Sequence, residues 1–159
     1  MRVMGIDPGL KATGYGVVER GPDRRVRALE VGTIEPNPRD PLAGKLVKIH
    51  RHLGDIIDRQ KPDVVVLEKL YAHYAHPMTA VVMGHARGVI CLVCAQKGVD
   101  YIEESPKRVR KAVVGNGNAS KEQTRRVVAN YLKIDPAKLT LDASDALALA
   151  MAHAGRGTP

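Results

Sequence analysis

Four consecutive apolar residues, Val64-Val65-Val66-Leu67, stand between a proline break at Pro62 and an acidic residue, Glu68. A strand without alternation has both faces covered, which calls for helices on each side of a sheet and for parallel neighbours. The flanking segments supply such helices. Leu42, Leu46, Ile49, Leu53, Ile56 and Ile57 recur at steps of three and four and make a single apolar stripe. Asp40 is expected to be the N-cap of this helix, with Pro41 at its first position, and Pro62 ends it. A second long helix is expected over 77–97, apolar nearly all round, with Gly84, Ala86 and Gly88 admitting close packing against another helix.

Ahead of these elements, residues 2–7, 13–20 and 25–34 read as strands. They are divided by Pro8-Gly9 and Gly21-Pro22-Asp23, the pattern of an antiparallel meander. Behind them, a fifth strand is expected over 99–103, then helices over 106–114, 120–132 and 142–153. Ser120 and Gln123 have the spacing of a capping box. With no repeat or long linker, residues 1–159 are read as a single domain. The expected architecture is an α/β domain with a five-stranded mixed sheet and helices on both faces.

Composition narrows the function. Lys and Arg number 25 against 17 Asp and Glu, a formal net charge of +8, and such a protein accumulates on polyanions, nucleic acid foremost. Only 3% of residues are aromatic, all Tyr, which argues against a surface built from many stacked bases. Cys91 and Cys94 lie inside an apolar helix and make neither a disulfide scaffold nor a zinc site, so both are expected to be packing residues. No apolar run approaches the roughly 20 residues of a membrane span, and the opening MRVMGIDPG is not a signal peptide. No membrane partner is expected, and the expected compartment is the cytoplasm.

Four carboxylates carry the chemistry. Asp7 ends the first strand and Glu68 the fourth. If these strands are parallel neighbours, both side chains emerge at the same carboxyl edge, where open α/β sheets bind ligands. Asp142 and Asp145, three apart at the start of the last helix, share one face of it. Asp142 alone is as well explained as a helix cap, whereas Asp145 leads an otherwise apolar stretch. Four such groups in one place repel by several kcal/mol in a partly desolvated site. A net-basic protein gathers negative charge where cations bind. Oxygen donors without His or Cys suit Mg²⁺ or Mn²⁺. Two such ions about 4 Å apart would activate a water and stabilise the leaving 3′ oxygen of a phosphodiester.

Gly5-Ile6-Asp7-Pro8-Gly9 followed by Thr13-Gly14-Tyr15-Gly16 resembles the opening of the RuvC family of Holliday-junction endonucleases. The resemblance continues in order through residues 64–68, His85-Ala86-Arg87-Gly88, residues 113–117 and Asp142-Ala143-Ser144-Asp145-Ala146-Leu147-Ala148. It implies an RNase H-like fold, a homodimer, and Mg²⁺-dependent symmetric nicking of four-way DNA junctions in recombination and repair. Two ions per site, 5′-phosphate and 3′-hydroxyl ends, and cooperation with the RuvA–RuvB branch-migration motor belong to the same expectation. Carried over by position, the metal-binding acids fall on Asp7, Glu68, Asp142 and Asp145. The basic residues near the scissile phosphate fall on Arg110 and Lys121, and the aromatic that contacts bases at the crossover falls on Tyr71. The chain departs from the family pattern at Tyr71, commonly Phe, across the rest of 71–76, at His85, commonly Gln, and at Arg110, commonly Lys. Arg110 stays protonated to above about pH 12 and is a poorer proton donor than Lys.

The remaining candidates are read more plainly. Tyr71, His73, Tyr74 and His76 fall in a loop that is either solvated or stacks on an unpaired base. Glu103 and Glu104, at the end of the fifth strand, either sit near the metal site or, on the plainer reading, are solvated, and His153 is expected to be a favourable charge near a helix C-terminus and not a ligand. Lys107, Arg108, Arg110 and Lys111, with Lys121, Arg125 and Arg126, flank the loop Gly115-Asn116-Gly117-Asn118 and together form a candidate phosphate track. The helix over 77–97 is the expected dimer contact. The rival readings are an actin-type ATPase, whose phosphate loop also begins with a strand-ending Asp, and a non-catalytic junction-binding protein.

Overall fold

The computed structural model describes residues 1–70 and 77–156. β1 (Arg2–Asp7), β2 (Thr13–Arg20) and β3 (Val26–Ile34) form an antiparallel meander, which β4 (Val64–Glu68) and β5 (Tyr101–Glu104) extend as parallel strands. The order β3-β2-β1-β4-β5 puts β1 at the centre. β5 starts two residues later than its sequence pattern suggests. The reason is local: the Val99 N–H still closes the turn after the preceding helix by donating to the Cys94 carbonyl, 3.0 Å away.

Five α-helices flank the sheet: α1 (Leu42–Gln60), α2 (Pro77–Lys97), α3 (Pro106–Val114), α4 (Lys121–Leu132) and α5 (Leu141–Arg156). Met4, Ile6, Val17, Val65 and Leu67 pack with Ile49 and Leu53 of α1 and Ile90 of α2. Val3, Val18 and Val66 face the other way, onto Val109 of α3, Val128 of α4 and Leu147 of α5. The unbroken apolar run of β4 is therefore explained by burial on both faces.

Helix starts follow the sequence with one correction. Ser105 Oγ accepts from the Arg108 N–H at 3.2 Å, and Ser120 with Gln123 closes the expected capping box. Asp40, in contrast, is not the cap of α1. Pro41, with φ −61° and ψ 161°, is itself the N-cap, and its carbonyl accepts from the Lys45 N–H at 3.1 Å. The Asp40 N–H is engaged in the preceding turn with the Asn37 carbonyl at 3.0 Å.

α5 lies directly on the backbone of β1 and β2. A Cβ at Gly5 would stand 1.9 Å from the Ala146 carbonyl oxygen, one at Gly14 2.1 Å from the Asp142 oxygen, and one at Gly16 2.6 Å from Leu147 Cδ2. Only residues without side chains admit the helix at this distance. It runs from one residue before the expected start to three residues beyond the expected end.

α2 buries one stripe, Ala86, Ile90, Val93 and Cys94. Upstream of Ala86 none of its described side chains is buried, and Met78 is 69% exposed. The twenty residues Met78–Lys97 are long and apolar enough, by length and composition, to cross a bilayer. This corrects the expectation that no segment reaches that measure, because interspersed Gly, Ala and Thr disguise the apolar average. Cys91 and Cys94 are free thiols in this helix, and burial pushes Cys94 up to about 11.

Candidate active site

β1 and β4 run parallel with Gly5 opposite Val66 and Ile6 opposite Leu67, so Asp7 and Glu68 leave the same edge of the sheet side by side. Asp7 pairs across the other side with Gly14, and the missing Cβ of Gly14 is where the Asp142 carbonyl rests. The start of α5 is thereby set against the end of β1. Asp142 does not cap the helix. That part is taken by Thr140, whose Oγ1 accepts from the Ala143 N–H at 3.2 Å. Asp145, one turn into α5, is buried to 9% exposure, and Lys121 Nζ of α4 lies 2.6 Å from its Oδ2.

The charges act on one another as the sequence implies. Burial first, then repulsion from Glu68 and Asp145, raises Asp7 to about 8 against the pull of Lys121, and the Asp7 carboxyl is hydrogen-bonded to Glu68. Glu68 is also held above its ordinary range, by burial and then by Asp145. Burial opposes the Lys121 ammonium, but the hydrogen bond and charge of Asp145, followed by the charges of Asp7 and Glu68, carry it above its usual value. Asp7, Glu68, Asp145 and Lys121 are thus one electrostatic unit. Asp142 adjoins it through its backbone and has the more exposed side chain.

The donor set fits hard divalent cations. It is all oxygen, its carboxylates repel one another, and Asp145 Oδ2 is buried without a hydrogen bond of good geometry despite the nearby ammonium. Among the described residues no three His, Cys, Asp or Glu side chains are already drawn in around a common point. The Lys121 ammonium, 2.6 Å from Asp145 Oδ2, is the positive charge set against the cluster.

Arg110 lies beside the acids. Its charge lowers Glu68, and it lines a small cavity with Glu68, Thr124 and Asp145. Tyr71 lies outside the described residues, as do His73, Tyr74 and His76. The phosphate track is thinner than the sequence suggests. Arg125 and Arg126 are both engaged by Glu122, and Arg125 also donates to the Leu139 carbonyl.

Two further expectations are corrected. Glu104 is not solvated: it is 6% exposed and paired with Arg156 and Arg108. Glu103 is paired with Arg87 of α2. His153 is not a favourable charge, because burial and then Arg156 hold it below its ordinary value and favour the neutral ring. Sequence reading also missed Arg87 itself, whose Nη1 donates to the Glu68 main-chain carbonyl at 2.6 Å. Its one sequence signal was its place within His85-Ala86-Arg87-Gly88.

Known proteins resemble this chain in sequence and in fold. The family described as crossover junction endodeoxyribonuclease RuvC matches residues 3–153. The RuvC of Rhodopirellula baltica is 41% identical over 150 residues, covering 94% of this chain and 83% of that protein. The RuvC of Thermomicrobium roseum is 38% identical, covering 96% and 92%. Among solved structures, Thermus thermophilus RuvC superposes with a TM-score of 0.85 at 30% identity, covering 98% of this chain and 94% of that one. The same protein in complex with Holliday junction substrate gives 0.86 at 26% identity and the same coverage.

Proposed function

The chain belongs to the RuvC family of crossover junction endodeoxyribonucleases and resolves four-way DNA junctions, and from that premise we propose which of its residues do the work. The enzyme is metal-dependent. In this reading Asp7, Glu68, Asp142 and Asp145 hold two Mg²⁺ ions, for which Mn²⁺ can substitute. Bound there, the ions supply Lewis-acid activation of water and stabilisation of the departing 3′ oxygen. Asp7 feels the charges of both Glu68 and Asp145, and we assign it as the acid shared by both ions. Arg110 is a permanent positive charge beside Glu68, and together with Lys121 it neutralises charge that builds on the scissile phosphate. Cleavage leaves 5′-phosphate and 3′-hydroxyl ends.

A four-way junction has near two-fold symmetry, which a C₂ homodimer matches by directing two such sites at related strands. The exposed apolar part of α2, with Met78, Val81 and Val82, is the contact we assign to that dimer. Tyr71 contacts bases at the crossover, the RuvA–RuvB motor is the co-working machine, and the compartment is the cytoplasm.

One observation carries the reading. A chain of net charge +8 holds three mutually repelling carboxylates together at one sheet edge. The experiment is Mg²⁺-dependent cleavage of a synthetic four-way junction by the wild type, Asp7→Asn and Asp145→Asn. Both variants are expected to bind the junction and not to cut it. Retained cutting by either overturns the assignment, and ATP hydrolysis by the wild type would favour the ATPase reading.

A further inference from the structure

We infer that Arg87 is a positioning residue for Glu68 and makes the setting of that acid depend on how α2 is seated. The inference rests on the reading above that Glu68 is a metal ligand.

A backbone donor is missing where β4 ends. Gly5 stands opposite Val66 and Ile6 opposite Leu67, so one further step puts Asp7 opposite Glu68. On the other side of β4, the Val65 N–H donates to the carbonyl of Asp100, just before β5, at 2.9 Å and the Lys69 N–H to the Glu104 carbonyl of β5 at 2.8 Å, so the alternate residues Val66 and Glu68 turn their backbone groups toward β1. In a parallel ladder the donor to the Glu68 carbonyl would come from residue 8. That residue is Pro8, which has no N–H. The carbonyl of a metal-binding residue is therefore left without its strand partner at the point where the sheet ends.

Arg87 fills the place. Its Nη1 donates to the Glu68 carbonyl at 2.6 Å, and its Nη2 pairs with Glu103 on β5. One planar guanidinium thus ties the last peptide of β4 to the neighbouring strand, with only 16% of the side chain exposed. A guanidinium suits the task because two of its N–H groups point along a fixed fork, which an ammonium cannot reproduce.

The position of Arg87 along α2 gives the tie its second consequence. Ala86 is the first buried residue of that helix, and every described side chain before it is wholly or partly exposed. Arg87 is therefore among the first points at which α2 engages the body of the protein. A partner that seats on Met78, Val81 and Val82 acts on a helix that Arg87, one residue past its first buried side chain, ties to the Glu68 peptide.

The test compares Arg87→Met, Arg87→Lys, Glu103→Gln and Glu68→Gln with the wild type. Two measurements report on the ion site: the Mg²⁺ concentration for half-maximal single-turnover junction cleavage, and Mn²⁺ binding to the free protein followed by electron paramagnetic resonance. Junction affinity in EDTA and oligomeric mass by sedimentation are measured in parallel. Arg87→Met is expected to raise the Mg²⁺ requirement and weaken Mn²⁺ binding at least fivefold, with junction affinity and mass within twofold of wild type. Arg87→Lys is expected to recover less than half of that loss. A plain packing role would lower the melting temperature and leave the ion requirement unchanged. Wild-type Mn²⁺ binding by Glu68→Gln overturns the ligand reading itself. Lost binding in Glu68→Gln with wild-type values in Arg87→Met overturns the positioning role alone. If Arg87→Met does not fold, wild-type ion requirements in both Arg87→Lys and Glu103→Gln overturn it.

Discussion

Replacing Asp7 with Asn should abolish cutting and, without divalent ions, make the protein more stable. Burial and the repulsion of Glu68 and Asp145 raise Asp7 from 3.8 to about 8. An unfolded chain has no such penalty. Below about pH 4 the carboxyl is protonated in both states and contributes nothing. Between there and pH 8 the unfolded chain ionises while the folded one resists, so stability falls as pH rises, by about 1.4 kcal/mol per unit. The full span amounts to roughly 5–6 kcal/mol. Sharing of the proton with Glu68 and solvent at the open side of the site leave about half of it, 2–3 kcal/mol. The asparagine side chain keeps the shape, can donate its amide to Glu68, and carries no charge. In EDTA, thermal unfolding should show the variant and wild type converging toward pH 4 and the variant melting about 5–10 °C higher at pH 9. Added Mg²⁺ should raise the wild type and close the gap. Parallel curves from pH 5 to 9 would refute the account of mutual repulsion at this edge.

Gly14→Ala places a methyl 2.1 Å from the Asp142 carbonyl, a backbone atom that cannot turn aside. It is expected to cost at least about 3 kcal/mol in urea unfolding, as overpacked cores do, or to displace α5 and end cleavage. Gly84→Ala has nothing within 4 Å of its new Cβ and should gain up to about 1 kcal/mol of helix propensity. Neutralising Lys107, Arg110 and Lys111 should flatten the salt dependence of junction binding, by up to about 0.9 in slope for each phosphate that is no longer neutralised. The Arg125→Gln, Arg126→Gln pair, already engaged by Glu122, should change it far less, and the reverse ranking would place the DNA elsewhere.

The legible parts of this fold were those written in local pattern. The apolar run of β4, the stripe of α1, the Ser120–Gln123 box and the acids at two strand ends each depend on residues near one another in the chain. The illegible parts depend on distant partners. Gly5, Gly14 and Gly16 read as weak strand residues until α5 is laid on them, and only then do they explain why Asp142 and Asp145 reach the sheet edge. Glu104 reads as solvated because Arg156, its partner, lies 52 residues away. The contact of Arg87 with the Glu68 carbonyl goes with a proline just past the end of β1, a relation that no periodicity records. Asp40 was a fair cap by residue type, but the preceding turn had already claimed it. Of the candidate site, residue type and position singled out four acids, Lys121 and Arg110, and the structure sets Asp7, Glu68, Asp145 and Lys121 within reach of one another's charge, with Arg110 acting on Glu68.

The seating of α5 on bare strand backbone has a temporal side. Asp142 and Asp145 leave the ribosome only after every strand of the sheet has been made, and they reach Asp7 only when the final helix has settled onto Gly5 and Gly14. A partly synthesised chain can bring Asp7 and Glu68 together but has no means of completing the cluster. The grouping of these acids is therefore a late tertiary event and not a property of the sheet alone.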